Sequence, residues 1–152
     1  MKPAHLDHLH LITGEYPPAP GGIGDHTARL AAGLVESGCD VHVWTGGNTE
    51  ESDAPIRVHR VAGEWSHRDL SRLGEALDRH PAPRRLFVQY APNPFGRRGM
   101  NLGFCSWLIG RRKLGDDVRI LFHEVRYLVR PEDGAGRRFL AMTQRLMVRR
   151  LL

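Results

Sequence analysis

Two cysteines, Cys39 and Cys105, are the whole cysteine content of the 152-residue chain. They form neither a disulfide framework nor a metal-binding spacing. Long apolar runs are also missing: none approaches the ~20 residues that a membrane span requires. Residues 1–10 place His5, Asp7, His8 and His10 where a secretory signal would need an apolar stretch, so a soluble cytoplasmic protein is the default expectation. The dinucleotide fingerprint G-x-G-x-x-G, the phosphate loop GxxxxGK[ST], the zinc motif H-E-x-x-H and the nucleophile elbow G-x-S-x-G do not occur. No repeat of 20–50 residues is visible. What remains is an ordinary globular composition. Hydrophobic residues are 41% and charged residues 26%, which excludes wholesale disorder, and the length suits one domain.

The net charge of +5 is unevenly distributed. Residues 1–83 carry 7 Lys+Arg against 12 Asp+Glu, and residues 84–152 carry 15 against 5. A basic second half would suit a phosphate-rich partner or an anionic membrane surface. The alternative is that these residues, nearly all Arg, coat solvated helix faces. Nucleic acid is not an expected partner, because no nucleic-acid motif accompanies the charge.

Hydrophobic patterning alternates strands with helices. Strands are expected at residues 8–13, 41–45, 56–61, 85–90 and 118–123, the third of them near an edge. Helices are expected from Asp25 or a neighbour, acting as cap, through residue 37, and over residues 66–79, 100–114 and from about 136 to the end. The last helix is expected to turn Phe139, Leu140, Thr143, Leu146, Met147 and Leu151 inward, with Arg138, Arg145 and Arg149 opposite. This order predicts an α/β fold, a Rossmann-like, doubly wound, mostly parallel sheet with helices on both faces. A doubly wound sheet would be expected to continue beyond the last helix, or to have that edge covered by something else.

Ligands of open α/β sheets sit beyond the carboxyl ends of the strands. One candidate there is the loop from Gly14 to Gly24, where Gly21, Gly22 and Gly24 let backbone N–H groups approach a ligand oxygen. Asp25 works against a phosphate at that helix start, so a sugar hydroxyl fits as well as an anion; a turn that merely redirects the chain is the plainer alternative. His123 ends the fifth strand, followed by Glu124, where an imidazole can hydrogen-bond a substrate oxygen or move a proton. It reads equally as a satisfied structural histidine. The other histidines look scattered, and no metal ligand set is expected.

Thr13-Gly14-Glu15-Tyr16-Pro17-Pro18, Gly21-Gly22-Ile23-Gly24, Leu30-Ala31-Ala32-Gly33-Leu34, Gly38 and Val41-His42-Val43-Trp44-Thr45 resemble the opening of a family 4 glycosyltransferase. Phe122-His123-Glu124 resembles that family's strand ending in an active-site histidine. The likeness runs over nearly the whole chain and implies the N-terminal lobe of a two-lobed GT-B architecture. It implies a nucleotide-sugar donor, retention of anomeric configuration, and no metal or other cofactor. Gly21, Gly22 and Gly24 would lie against the donor, with Glu124 on the same side, and His123 would contact the transferred sugar. Glu15, Tyr16, Tyr90, Asn93 and Arg97 would face an unknown acceptor. The family's second lobe, which carries most nucleotide contacts, has no counterpart here. The chain alone is therefore expected to be inactive unless a separate C-terminal lobe joins it. The competing expectation is a non-catalytic lobe that docks on a partner or, peripherally, on the inner face of a membrane.

Overall fold

The computed structural model describes residues 8–47, 55–96 and 99–152. Strand β1 (His8–Thr13) leads to helix α1 (Gly22–Glu36), then β2 (Asp40–Trp44) and β3 (Arg57–His59). Helix α2 (His67–Leu77), β4 (Arg85–Tyr90), α3 (Leu102–Lys113), β5 (Asp117–Phe122) and α4 (Ala135–Leu151) follow. All strand pairs are parallel and the order is β3-β2-β1-β4-β5. The expected α/β doubly wound sheet is therefore present. The chain leaves β1 toward β2 and β3, then returns to β4 on the other side. The topological switch point lies between β1 and β4.

Alternation along the strands divides the core in two. Leu11, Val41, Val43 and Val58 point to the face covered by α1 through Ala31, Leu30 and Leu34. Ile12, Trp44, Leu86, Val88 and Tyr90 point to the opposite face. There they meet Leu70, Leu73 and Leu77 of α2, Phe104, Cys105 and Leu108 of α3, and Met147 of α4. Each fully buried Leu contributes roughly 1.5–3 kcal/mol by leaving water. Helix α2 starts in a capping box, with Ser66 Oγ accepting from the Asp69 N–H and Asp69 accepting from the Ser66 N–H. Asn101 caps α3 by accepting from the Phe104 N–H at 2.9 Å.

A buried ion network ties the amino side of the sheet to these helices. Asp116, inaccessible to solvent, accepts from Arg111 Nε at 2.7 Å and from Arg84 Nη1 at 3.0 Å. Both guanidinium groups also reach Asp78 at the end of α2, at 2.9 and 3.2 Å. Arg111, in the basic last turn of α3, turns inward, because the Asp78 and Asp116 carboxylates wait there.

Helix α4 meets expectation at Met147 and Leu151, which join the core, and departs from it at Phe139 and Leu146. Ala141, Gln144 and Met147 are buried, whereas Phe139 is 58% exposed, Met142 60% and Leu146 46%. Two stripes were compatible with helical spacing. Contact with α3 and Gly99 selects the one bearing Gln144, whose Oε1 accepts from the Tyr127 N–H at 2.5 Å.

Candidate functional site

The loop after β1 is organised by Glu15. Its Oε1 accepts from the N–H groups of Ile23 (3.0 Å) and Gly24 (3.2 Å), so a carboxylate seven residues upstream of α1 closes the helix start. Asp25, expected as cap unless a neighbour took that place, is exposed within the helix, which begins at Gly22 after Gly21 as its N-cap. The local chemistry explains the glycine: a Cβ on Gly21 would stand 2.2 Å from Glu15 Oε1. By contrast, a Cβ on Gly22 would meet nothing within 4 Å. The glycines expected on the donor side thus adjoin a seat for negative charge that the Glu15 side chain already fills.

Beyond the carboxyl ends of β1, β2, β3 and β4 lies a cleft of about 700 Å³. Glu15, Tyr16 and Asn93, expected on the acceptor side, are among its walls, together with Arg60, Glu64 and Trp65. Gly14 lets the β1 and β4 loops meet, since a Cβ there would stand 2.2 Å from that of Pro94. Tyr16 is largely buried, and that burial pushes its phenol pKa up while the Arg60 guanidinium pulls it down. Tyr90 does not belong to the cleft. It is fully buried between Phe95 and Phe122, on the face covered by α3, so an acceptor cannot reach it. The strand's alternation, which puts Tyr90 with Leu86 and Val88, is the reason. Arg97 lies outside the described residues.

His123 sits at the end of β5, half-buried, on the α1 face. Its Nε2 donates to Gln89 Oε1 at 2.8 Å, which leaves Nδ1 with the lone pair. Its ring meets that of His26 of α1 edge-on at 5.1 Å. Desolvation lowers the His123 pKa, and His26 lowers it further against the opposing pull of Glu124, so the ring is neutral near pH 7. Glu124 is exposed. The fold therefore brings His123 beside the first turns of α1, the helix that Gly21, Gly22 and Gly24 open. It does not make His123 a wall of the cleft. Glu15 belongs to both groups: its carboxylate seats on the glycine turn and it lines the cleft.

Arg60, Glu64 and Trp65 were not legible as site residues. Arg60 follows β3 directly and donates through Nη1 to the Gly46 carbonyl at 3.5 Å and through Nη2 to that of Pro17; its buried Nε has no hydrogen-bond partner among the described residues. Trp65 holds φ of 61°, a left-handed backbone that a bulky residue adopts at a cost of about 1–3 kcal/mol. Asn101 Nδ2 holds it there by donating to the Trp65 carbonyl at 2.9 Å. The only sequence cue is the Ala62-Gly63-Glu64-Trp65-Ser66 turn before a capped helix. Away from the cleft, the sheet assembles His10, His42 and His80 into a group whose ring nitrogens lie within 4.8 Å of one another, despite the absence of any metal-ligand spacing.

Among the described residues no helix is long and apolar enough to cross a membrane. No curated protein and no solved structure matches the chain significantly. The profile described as "Glycosyl transferase 4-like domain" matches residues 21–151. That match spans α1 to α4, including the glycine turn and the His123 strand, and on it the chain belongs to the glycosyl transferase 4-like family.

Proposed function

We propose that this chain is the acceptor-side, N-terminal lobe of a retaining glycosyltransferase that draws its sugar from a nucleotide-sugar donor. The observation carrying the reading is the joint placement of the cleft, the Glu15-filled glycine turn and His123 at the carboxyl ends of the strands. In the proposed transfer an acceptor hydroxyl oxygen bonds the anomeric carbon as the carbon–oxygen bond to the diphosphate breaks. The electron pair leaves with the nucleoside diphosphate, and the hydroxyl proton passes to a departing phosphate oxygen on the same face. His123 would act through Nδ1, accepting from a sugar hydroxyl while Gln89 fixes the ring. Tyr16 and Asn93 would border the acceptor, and Arg60 supplies a cation to the same cleft. Donor phosphate approaching the glycine turn would meet the Glu15 carboxylate, so donor placement couples to movement of Glu15. Nucleotide binding falls to a donor-binding lobe, in the same polypeptide or in a partner chain, and residues 1–152 alone are inactive. The reading assigns no metal to the transfer and a cytoplasmic setting.

The test is release of nucleoside diphosphate from UDP-, GDP- and ADP-hexoses by this lobe joined to its donor-binding lobe. His123→Ala should lower turnover about a hundredfold with circular dichroism unchanged. Unchanged turnover would remove His123 from the transfer.

One observation favours a second reading, a non-catalytic lobe that rests peripherally on an anionic membrane. Exposed Phe139, Met142 and Leu146 line a groove of about 640 Å³ that also includes Arg145 and Arg149. Sedimentation with phosphatidylserine vesicles, but not with neutral ones, would support it, and equal behaviour with both would dismiss it.

A further inference from the structure

His10 is the third residue of β1 and His42 the third of β2, and parallel register sets them side by side. Both point to the face covered by α2, and His80, just past the end of α2, closes over them. Ring centroids are 5.1 Å apart for His10 and His42, 4.8 Å for His10 and His80, and 4.4 Å for His42 and His80. One ring nitrogen of each lies within 4.8 Å of those of the other two. His10 and His42 are buried and His80 is partly open, so the group has a solvent side.

We propose that His10, His42 and His80 bind a divalent transition-metal ion of the imidazole-preferring class, Zn²⁺ being the simplest occupant. Three imidazoles with one water complete an open tetrahedral zinc sphere, and nitrogen donors of this kind also suit Ni²⁺, Co²⁺ and Cu²⁺. A ligating imidazole must be neutral. Burial meets that condition by lowering the His10 pKa to about 3 and that of His42 to about 4.

His59 backs the group. Its ring stacks on His42, with centroids 5.1 Å apart. Arg57 can only donate, so His42 accepts from it at Nε2 (3.1 Å) and donates from Nδ1 to His59 Nε2 (2.9 Å). A bond of that kind orients a metal-binding imidazole from behind. Two lone pairs are covered in the free protein: that of His42 Nε2 by Arg57, and that of His10 Nδ1 by the Trp44 indole N–H at 3.1 Å. An arriving ion displaces both donors. Asp40, 2.6 Å from Arg57, retains the guanidinium as it withdraws. Arg57 and Arg84 are the cations acting on these rings, and Asp40 opposes them. The site lies on the amino half of the sheet, four residues before Gly14 along β1, and is independent of the proposed transfer chemistry.

The experiment is titration of the full chain with Zn²⁺ near neutral pH by calorimetry, with Co²⁺ as a spectroscopic probe of geometry. The wild-type chain should bind Zn²⁺ and give the intense visible band of tetrahedral Co²⁺. His80→Ala should weaken Zn²⁺ at least about tenfold and abolish the band. His67→Ala, at the exposed start of α2, should change neither. Circular dichroism reports folding, and His80→Gln replaces His80→Ala if the latter does not fold. Absence of the Co²⁺ band in the wild type, or its survival in the His80 variant, overturns the proposal. So does loss in Asp40→Asn without loss in the His80 variant, which would place the ion on the neighbouring His8–Asp40–His42 group instead.

Discussion

The two ends of the sheet are built on opposite terms. At the amino end, Arg84, Arg111, Asp78 and Asp116 interlock, and even Arg111 Nη2 has the Asp116 carboxylate at 2.5 Å. At the carboxyl end, Thr45 Oγ1, Arg60 Nε, Gln89 Nε2 and Tyr90 Oη are buried without hydrogen-bond partners among the described residues, and Trp65 holds a strained backbone. Buried polar groups left unpaired cost stability, and such costs gather where a ligand is handled. The comparison teaches where to look: the amino end holds the fold, and the strained Trp65 and the unpaired Arg60 Nε stand at the cleft.

That contrast can be broken most directly by Asp116→Ala. It would leave Arg84 and Arg111 buried without their shared carboxylate, and should lower stability by about 3–5 kcal/mol in urea denaturation. Acidification should cost stability as well. Unfolded histidine titrates near 6.5, whereas folded His42 titrates at about 4 and His10 at about 3. Between those values the unfolded chain binds more protons, so stability is complete above about pH 6.5 and falls as pH drops toward 4. Urea midpoints measured at successive pH values would show this slope, and its absence would mean that the histidine rings are open to protons in the folded state. At the other end, Glu15→Ala should cost about 1 kcal/mol as a lost helix cap. Gly21→Ala should cost a similar amount by expelling the same carboxylate, whereas Gly22→Ala should be neutral or slightly stabilising. Equal melting temperatures for the Gly21→Ala and Gly22→Ala variants would remove Glu15 from its seat. The smallest effect belongs to Met142→Ser on the exposed stripe of α4, within about 0.5 kcal/mol in thermal melting.

Local patterning made much of the scaffold legible. The strands at residues 8–13 and 85–90 have the bounds that alternation predicts, and Ser66 caps α2 at the expected start. These features depend on residues within a few positions of each other. The start of α1 was misjudged because its cap, Glu15, comes from across a proline-bearing loop. The facing of α4 was misjudged at Phe139 and Leu146 because helical spacing offered two stripes, and Gln144 docks through partners at Tyr127 and Gly99. Tyr90 sits in a loop-adjacent position that suggested an acceptor contact, yet strand alternation turns it into the aromatic core. For the candidate site, the glycine turn and His123 stood out as residues, whereas Arg60 and Trp65 did not, since nothing local distinguishes them.

By itself the sequence determined the succession of strands and helices and the residues at the strand ends, because periodicity, caps and turn residues act over a few positions. Family membership rests on that same linear order. Only the tertiary structure decided that Glu15 fills the glycine turn, that His26 meets His123, and that His10, His42 and His80 converge. Each of those contacts joins residues remote along the chain, through strand register and helix docking, which no local pattern encodes.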